Sequence, residues 1–182
     1  SKGATIRNTL NTISTMRRKL SNEVNSGKVY FCIDFDLESG AITSGGTPRV
    51  VFEPLNNPDN WLFSLNFIST GIEIFHRTSD ALINKGQANN DYGGSFSAGN
   101  WFYIMEIDYD ANTTKVWEKP DLTQSDWFTS LGTPTLSVAD MALSFQNISF
   151  PMRSSNRINQ ILIFKETVNG CTDSNAFNYD AD

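Results

Sequence analysis

The chain of 182 residues has few of the residues on which several large classes of protein depend. It contains two cysteines, one histidine, and 14 basic residues against 20 acidic ones. A single histidine excludes histidine-rich metal centres, and a net charge of -6 argues against a surface that binds nucleic acid. No apolar run approaches the roughly 20 residues that span a bilayer, so we expect no membrane insertion.

Neutral polar residues take the place of charge. The chain has 19 asparagines, 19 serines and 16 threonines, whereas only 19% of its residues are charged. Helical bundles and coiled coils are rich in Glu, Lys, Ala and Leu, a bias that this chain lacks. The length predicts one domain, with room for a short second segment.

Alternation of apolar and polar residues predicts the principal strands. In residues 28–38 one face carries the apolar residues Val29, Phe31, Ile33, Phe35 and Leu37. The same alternation places Trp61, Phe63, Leu65 and Phe67 on one face, and Trp101, Tyr103, Met105 and Ile107 on another. Each strand is therefore expected to have one face in the core. A turn at 69–71 predicts a hairpin with the strand at 72–76.

Shorter segments extend this pattern. Further strands are expected near 5–10, 14–20, 48–54, 115–119, 134–138, 141–149 and 157–165. The segment 14–25 also has apolar residues at the four-residue spacing of a helix, so both structures stay open there. Residues 84–100, rich in Asn and Gly, are expected to form a long irregular loop.

The order of these segments resembles a known family. Residues 26–35, the hairpin at 100–117 and the strand at 157–164 are similar to the early strand, central hairpin and closing strand of concanavalin A-like domains of the laminin-G type. The resemblance implies an all-β, antiparallel β-sandwich, a jelly roll, over residues 1–167. Lectins, carbohydrate-binding modules, polysaccharide hydrolases and adhesion spacers share this fold, so the fold alone does not choose among them.

The remaining segment, 168–182, is expected to be a linker and a truncated Cys-containing repeat. Its Gly170-Cys171-Thr172-Asp173 resembles the start of a repeat in secreted proteins of marine bacteria and in marine phage proteins. That resemblance implies an excised module of a larger protein, secreted or on a virion surface, with the partner of Cys171 further along the chain. Cys32 lies in a patterned strand, and we expect it to be a buried free thiol.

Aromatic residues in polar surroundings are the candidate binding residues. Tyr92 lies in the long loop, and Trp127 and Phe128 follow a polar segment. An exposed ring beside polar groups suits sugar recognition, so carbohydrate or polysaccharide is the expected partner. Asp34 and Asp36, on the polar face of their strand, complete the predicted site. We expect a non-catalytic, lectin-like module that is monomeric; the alternative is a structural or adhesion spacer.

A carboxylate pattern at residues 106–110 suggests a third possibility. Glu106, Asp108 and Asp110 resemble the Glu-x-Asp-x-Glu of laminarinase-like glycoside hydrolases, which use paired carboxylates. Asp110 has a shorter side chain than the family's Glu and opens a turn, so an ordinary hairpin explains the segment equally well. His76 follows the apolar residues of its strand and is expected to pack there. No enzyme is expected.

No cofactor is expected, although calcium stays open because oxygen ligands are abundant. Asp34, Asp36 and Asp108 could converge if their strands are neighbours. A second candidate set in the tail contains Asp173, Asn175, Asp180 and Asp182. Neither set has the spacing of an EF-hand loop, and a solvated acidic surface explains both.

Overall fold

The computed structural model describes residues 13–37, 49–54, 61–68, 70–79, 81–89, 99–118, 131–153 and 156–165. Within these ranges the chain forms strands and no helix, so the segment at 14–25 is extended rather than helical. The strands are β1 Ile13–Val24, β2 Lys28–Leu37, β3 Arg49–Glu53, β4 Phe63–Ile68, β5 Gly71–Arg77, β6 Leu82–Asn89, β7 Gly99–Asp108, β8 Thr113–Glu118, β9 Leu136–Ala139, β10 Phe145–Arg153 and β11 Asn156–Lys165.

Two antiparallel sheets face each other. The six-stranded sheet has the order β1-β10-β3-β4-β5-β6, and the five-stranded sheet has the order β11-β2-β7-β8-β9. Consecutive strands β1 and β2 belong to different sheets, and Gly27 between them adopts a positive φ of 69°, which glycine tolerates best. The expected all-β jelly roll is therefore confirmed. The predicted boundary near 167 and the tail after it lie outside the described residues.

The core consists of the apolar faces that alternation predicts. Phe31 of β2, Phe52 of β3 and Phe63 of β4 are fully buried between the sheets. The rings of Phe52 and Phe63 are stacked with centroids 4.2 Å apart, and Phe31 meets Phe52 edge-on at 5.2 Å. Farther along, Phe67 of β4 lies 4.9 Å from the ring of Tyr103 of β7. Aromatic contacts thus join the two sheets along their length.

A second cluster covers the other face of the five-stranded sheet, which we call the five-stranded outer face. Tyr30, Cys32, Ile104 and Trp117 are each no more than 6% exposed there. Leu131 packs against them, and the indole N–H of Trp117 donates to the Gly132 carbonyl at 3.1 Å. The expectation that β2 has only one buried face is wrong, because the chain after 130 returns to cover the middle of this sheet.

The strand β6 corrects the expected irregular loop at 84–100. It pairs with β5 along the edge of the six-stranded sheet, with a bulge at Lys85 between the pairs Ile74–Gly86 and Phe75–Asn84. Its position does not follow from hydrophobic alternation, since Leu82 and Ile83 are exposed and most of its other residues are polar. Gly86 faces the core instead, where a Cβ atom would come within 2.5 Å of Val138 in β9. A missing side chain therefore lets the two sheets approach each other.

We expect Gly86→Ala to destabilise the protein by about 1–3 kcal/mol, because overpacking displaces the stiff β-branched side chain of Val138. Denaturant titration of Gly86→Ala, Val138→Ala and the double variant measures the effect. The double variant should be more stable than the sum of the two single losses predicts. Simple additivity would show that Gly86 and Val138 do not restrict each other.

Cys32 is a free, buried cysteine, as predicted. Burial raises the pKa of its thiol from 9.0 to about 12. Burial also raises the pKa of Tyr103 and of Tyr109. Between pH 9 and 12 the unfolded thiol therefore loses its proton while the folded one keeps it, so the free energy of unfolding falls as pH rises.

We expect denaturant titrations to give a lower free energy of unfolding at pH 11 than at pH 8. The pH-dependent loss should be smaller in Cys32→Ala, although tyrosine ionisation still contributes. An alkylating reagent followed by peptide mapping should label Cys32 only after unfolding. Equal pH-dependent losses in the two proteins, or rapid labelling of Cys32 in the native protein, would contradict this account.

Candidate functional site

Of the predicted binding residues, Asp34 and Asp36 lie within the described part of the chain. They are half-buried on the five-stranded outer face, near one end of β2. The side-chain amide of Asn100 donates to both carboxylates, at 2.6 Å to Asp34 and 3.0 Å to Asp36. Tyr92, Trp127 and Phe128 lie outside the described residues, and their part in binding stays a prediction.

The carboxylates at 106–110 are engaged in structural contacts. Glu106 is 5% exposed, and its Oε1 lies 2.9 Å from the ammonium group of Lys115 on the neighbouring strand. Asp108 accepts the backbone N–H groups of Asp110 and Ala111 at 3.0 and 2.9 Å, which closes the turn after β7. Asp110 itself is exposed in this turn. A hairpin accounts for the positions of the three acidic residues.

The three aspartates considered for calcium do not converge. Asp36 pairs with Asn100 near one end of β7, whereas Asp108 pairs with Lys28 at the other end. Six residues of extended chain separate the positions of Asp34 and Asp108 along the sheet, which corresponds to about 20 Å. No group of three His, Cys, Asp or Glu side chains among the described residues could hold a metal ion. The tail set lies outside those residues.

The surface of the six-stranded sheet that faces away from the core, which we call the six-stranded outer face, is polar and partly buried. Ser64 of β4 lies at its centre, between Val51 of β3 and Phe75 of β5. Ser64 is fully buried, and its hydroxyl has no hydrogen-bond partner among the described residues. Phe75 is half-buried beside it. The middle of this face therefore combines an aromatic ring with an unsatisfied hydroxyl group.

A second aromatic side chain, that of Trp61, belongs to this same face. Its ring centroid lies 5.9 Å from the guanidinium carbon of Arg49 and 5.5 Å from that of Arg77. Strand register places Arg49 and Arg77 on the six-stranded outer face. The prediction that Trp61 shares the core side of Phe63 is therefore wrong. β4 begins at Phe63, so the alternation does not extend back to Trp61.

Polar side chains continue across the strands next to these groups. Asn66 of β4 pairs with Arg49 of β3 and with Glu73 of β5. The Asn66 side-chain amide donates to Glu73 at 3.2 Å, whereas its buried oxygen Oδ1 has no partner within the described chain. Gln87 of β6 lies opposite Glu73. Hydrogen-bonding groups of several kinds thus form a row across the sheet.

At the β1 side of this face, Glu53 is held by two neighbours. It is 3% exposed, its Oε2 lies 2.9 Å from Arg17 Nε, and it accepts a 2.7 Å hydrogen bond from the Ser149 hydroxyl. This charge is neutralised within the fold. His76, by contrast, pairs with Phe63 on the core side of β5, as the sequence pattern indicates.

The six-stranded outer face can therefore offer ring surfaces, amide groups, a carboxylate and guanidinium groups to one ligand. The sequence pattern does not mark these residues as a binding site. Arg49, Asn66 and Glu73 occupy the non-core positions of their strands, which is the only signal for them in the sequence. Their proximity follows from the pairing of β3, β4 and β5, which alternation within one strand does not reveal.

The part of the chain that the structure describes contains no apolar helix of the length that a membrane span requires.

Comparisons with known proteins leave sequence relationships open and establish the fold. No protein-family model and no curated protein matches the sequence. Carbohydrate-binding module CBM66 from Bacillus subtilis superposes with a TM-score of 0.56 at 9% identity, over 90% of this chain and 92% of that one. Sheep galectin-11 gives 0.51 at 9% identity, over 86% and 100%. Xenopus laevis galectin-Ib gives 0.51 at 13% identity, over 82% and 99%. The chain has the concanavalin A-like jelly-roll fold.

Proposed function

We propose that this protein is a non-catalytic, lectin-like module that binds carbohydrate on the six-stranded outer face. The observation that carries the proposal is the position of the half-buried Trp61 ring, whose centroid lies 5.9 Å from the guanidinium carbon of Arg49 and 5.5 Å from that of Arg77. Sugar rings present an apolar C–H face and a rim of hydroxyl groups. A half-buried indole ring next to fixed donors and acceptors matches both features.

The partly exposed polar side chains support the same function. Asn66 and Glu73 are half-buried on this face and are held together by a 3.2 Å hydrogen bond. Amide and carboxylate groups that are fixed in this way can orient the hydroxyl groups of a sugar. The names of structures that share the fold, a carbohydrate-binding module and galectins, are in keeping with sugar binding.

The sequence also proposes a different surface, formed by Asp34 and Asp36 together with Tyr92, Trp127 and Phe128. Asp34 and Asp36 lie on the five-stranded outer face, on the opposite side of the sandwich from Arg49. We favour the six-stranded outer face because the Trp61 ring lies beside two guanidinium groups there. The middle of the five-stranded outer face is occupied by Trp117 and Leu131. That covered middle is also the observation that favours the alternative function, a structural or adhesion spacer.

The wider setting is proposed from the resemblance of the tail alone. The resemblance of the segment around Cys171 to a secreted repeat supports an extracellular or virion-surface protein of marine origin, a setting in which disulfides persist. Cys32 is compatible with that setting, since burial protects its thiol from oxidation. The module is proposed to act as a monomer.

Replacing Trp61 tests the proposed binding surface. We expect Trp61→Ala to weaken polysaccharide binding by about 10- to 100-fold, because the lost ring contact contributes on the order of 1–3 kcal/mol. Trp61→Phe should retain part of the affinity. Affinity electrophoresis against a panel of glycans, with denaturant titration of each variant, measures binding and stability separately.

Phe102 provides the matched control, since it is a half-buried aromatic residue opposite Asp34 on the five-stranded outer face. Phe102→Ala should leave binding unchanged. If Phe102→Ala loses binding while Trp61→Ala keeps it, the site belongs to the surface that the sequence proposed. If no glycan binds to the unmodified protein, the spacer function replaces the lectin-like one.

Glu106→Gln tests the enzymatic alternative. We expect the unmodified protein to release no reducing ends from any bound glycan, and Glu106→Gln to bind as tightly as the original. The physical reason is that Glu106 is buried and paired with Lys115. Release of reducing ends that this substitution abolishes would identify a hydrolase.

A further inference from the structure

The two outer faces differ in charge. Among the described side chains of the six-stranded outer face, strand register places the cationic Arg17, Lys19, Arg49 and Arg77 against the acidic Glu53 and Glu73. The described side chains of the five-stranded outer face have the reverse balance, with Lys28 and Lys115 against Asp34, Asp36, Glu106 and Asp108. The whole chain carries -6. A local excess of cations on an acidic protein therefore coincides with the proposed binding surface.

Two cations of this face have no acidic partner among the described residues. Arg17 is paired with Glu53, at the β1 side of the sheet. Arg49 and Arg77 instead have the Trp61 ring as their neighbour, and among the described residues neither forms an ion pair. Glu73 accepts the amide of Asn66. The guanidinium groups of Arg49 and Arg77 are therefore available to an anion.

Arg49 is also partly removed from water. It is half-buried, and burial lowers the pKa of its guanidinium group. A partly desolvated cation without a counterion costs free energy, and an incoming anion offsets that cost. Guanidinium groups suit this role because they bind carboxylates and sulfates through parallel hydrogen bonds.

We propose that the carbohydrate bound here is an anionic saccharide, whose acidic groups pair with the guanidinium groups of Arg49 and Arg77 beside the Trp61 ring. This inference rests on the proposed function and narrows its ligand class. The shared chemistry is a planar or tetrahedral oxyanion on a sugar ring, which either a uronic acid carboxylate or a sulfate ester supplies.

Matched polysaccharide pairs separate charge from sugar recognition. Polygalacturonate and its carboxyl-reduced form differ only in the acid group, and dextran sulfate and dextran differ only in the ester. Isothermal titration calorimetry at about 20 mM and about 500 mM salt gives the affinity and its screening. At least one anionic member should bind ten-fold or more tightly than its neutral partner, with weaker binding at high salt. The pair that responds identifies the carboxylate or the sulfate.

Substitutions assign the effect to the guanidinium groups. Arg49→Gln and Arg77→Gln should each weaken binding of the anionic polysaccharide ten-fold or more, and Arg49→Lys should lose less. Arg77 is exposed, so its substitution keeps the test valid if Arg49→Gln fails to fold. Lys28→Gln removes the same charge from the five-stranded outer face and should leave affinity unchanged.

The outcomes distinguish a failure of the anionic ligand from a failure of carbohydrate binding as a whole. Equal affinity for the neutral and anionic members would overturn the anionic ligand and retain a sugar-binding surface. Binding to none of the glycans would overturn both. Anionic binding that survives Arg49→Gln and Arg77→Gln but falls with Lys28→Gln would overturn the assignment to this face.

Discussion

Contact between aromatic rings of the two sheets is the interaction on which the rest of this structure depends. Phe31 belongs to the five-stranded sheet, and Phe52, Phe63 and Phe145 belong to the six-stranded sheet. Phe145 lies 5.8 Å from Phe31 and 4.9 Å from Phe52, so these rings form one group that spans the interior. These rings exclude water from the inner faces of their strands, which favours the strand register that keeps the apolar sides inward. The same register determines which polar side chains are neighbours on the outer faces.

The two outer faces differ in the side chains that surround their buried middles. On the five-stranded sheet, Leu131 and the Gly132 carbonyl cover Trp117 and its neighbours, which leaves polar groups such as Asp34 toward one end. On the six-stranded sheet, Val51 and Ser64 are buried in the middle, and the half-buried Trp61 ring lies beside guanidinium groups. Both faces thus have a buried middle, and they differ in the chemistry of the side chains around it.

Local pattern predicts the parts of the fold that local forces determine. Phe31, Phe63 and Tyr103 are on the core side because alternation carries them there, and that side is buried in the structure. Alternation does not predict β6, because an edge strand can be polar. The residue of β6 that faces the core, Gly86, has no side chain and so gives no apolar signal in the sequence. Its fit depends on Val138, which lies far away in the sequence.

The candidate site was harder to predict for the same reason. Arg49, Asn66 and Glu73 are ordinary polar residues within their own strands, and only cross-strand register brings them into one row. Alternation extended back from Phe63 predicts Trp61 in the core, but β4 begins at Phe63. Asp34 and Asp36 lie on the face of β2 opposite Phe35, and that face is polar only near its end, because Tyr30 and Cys32 are buried.

The consecutive course of β4, β5 and β6 has a consequence for how the sheet is assembled. These strands form an uninterrupted meander. In the same sheet, Ile13 of β1 pairs with Arg153 of β10, and these two strands are far apart in the sequence. Closing short loops costs less conformational entropy than joining distant segments. Most of the proposed binding surface is therefore encoded in one stretch, from Trp61 to Asn89. Sequence changes there can alter the surface chemistry without disturbing the pairing that joins the two ends of the fold.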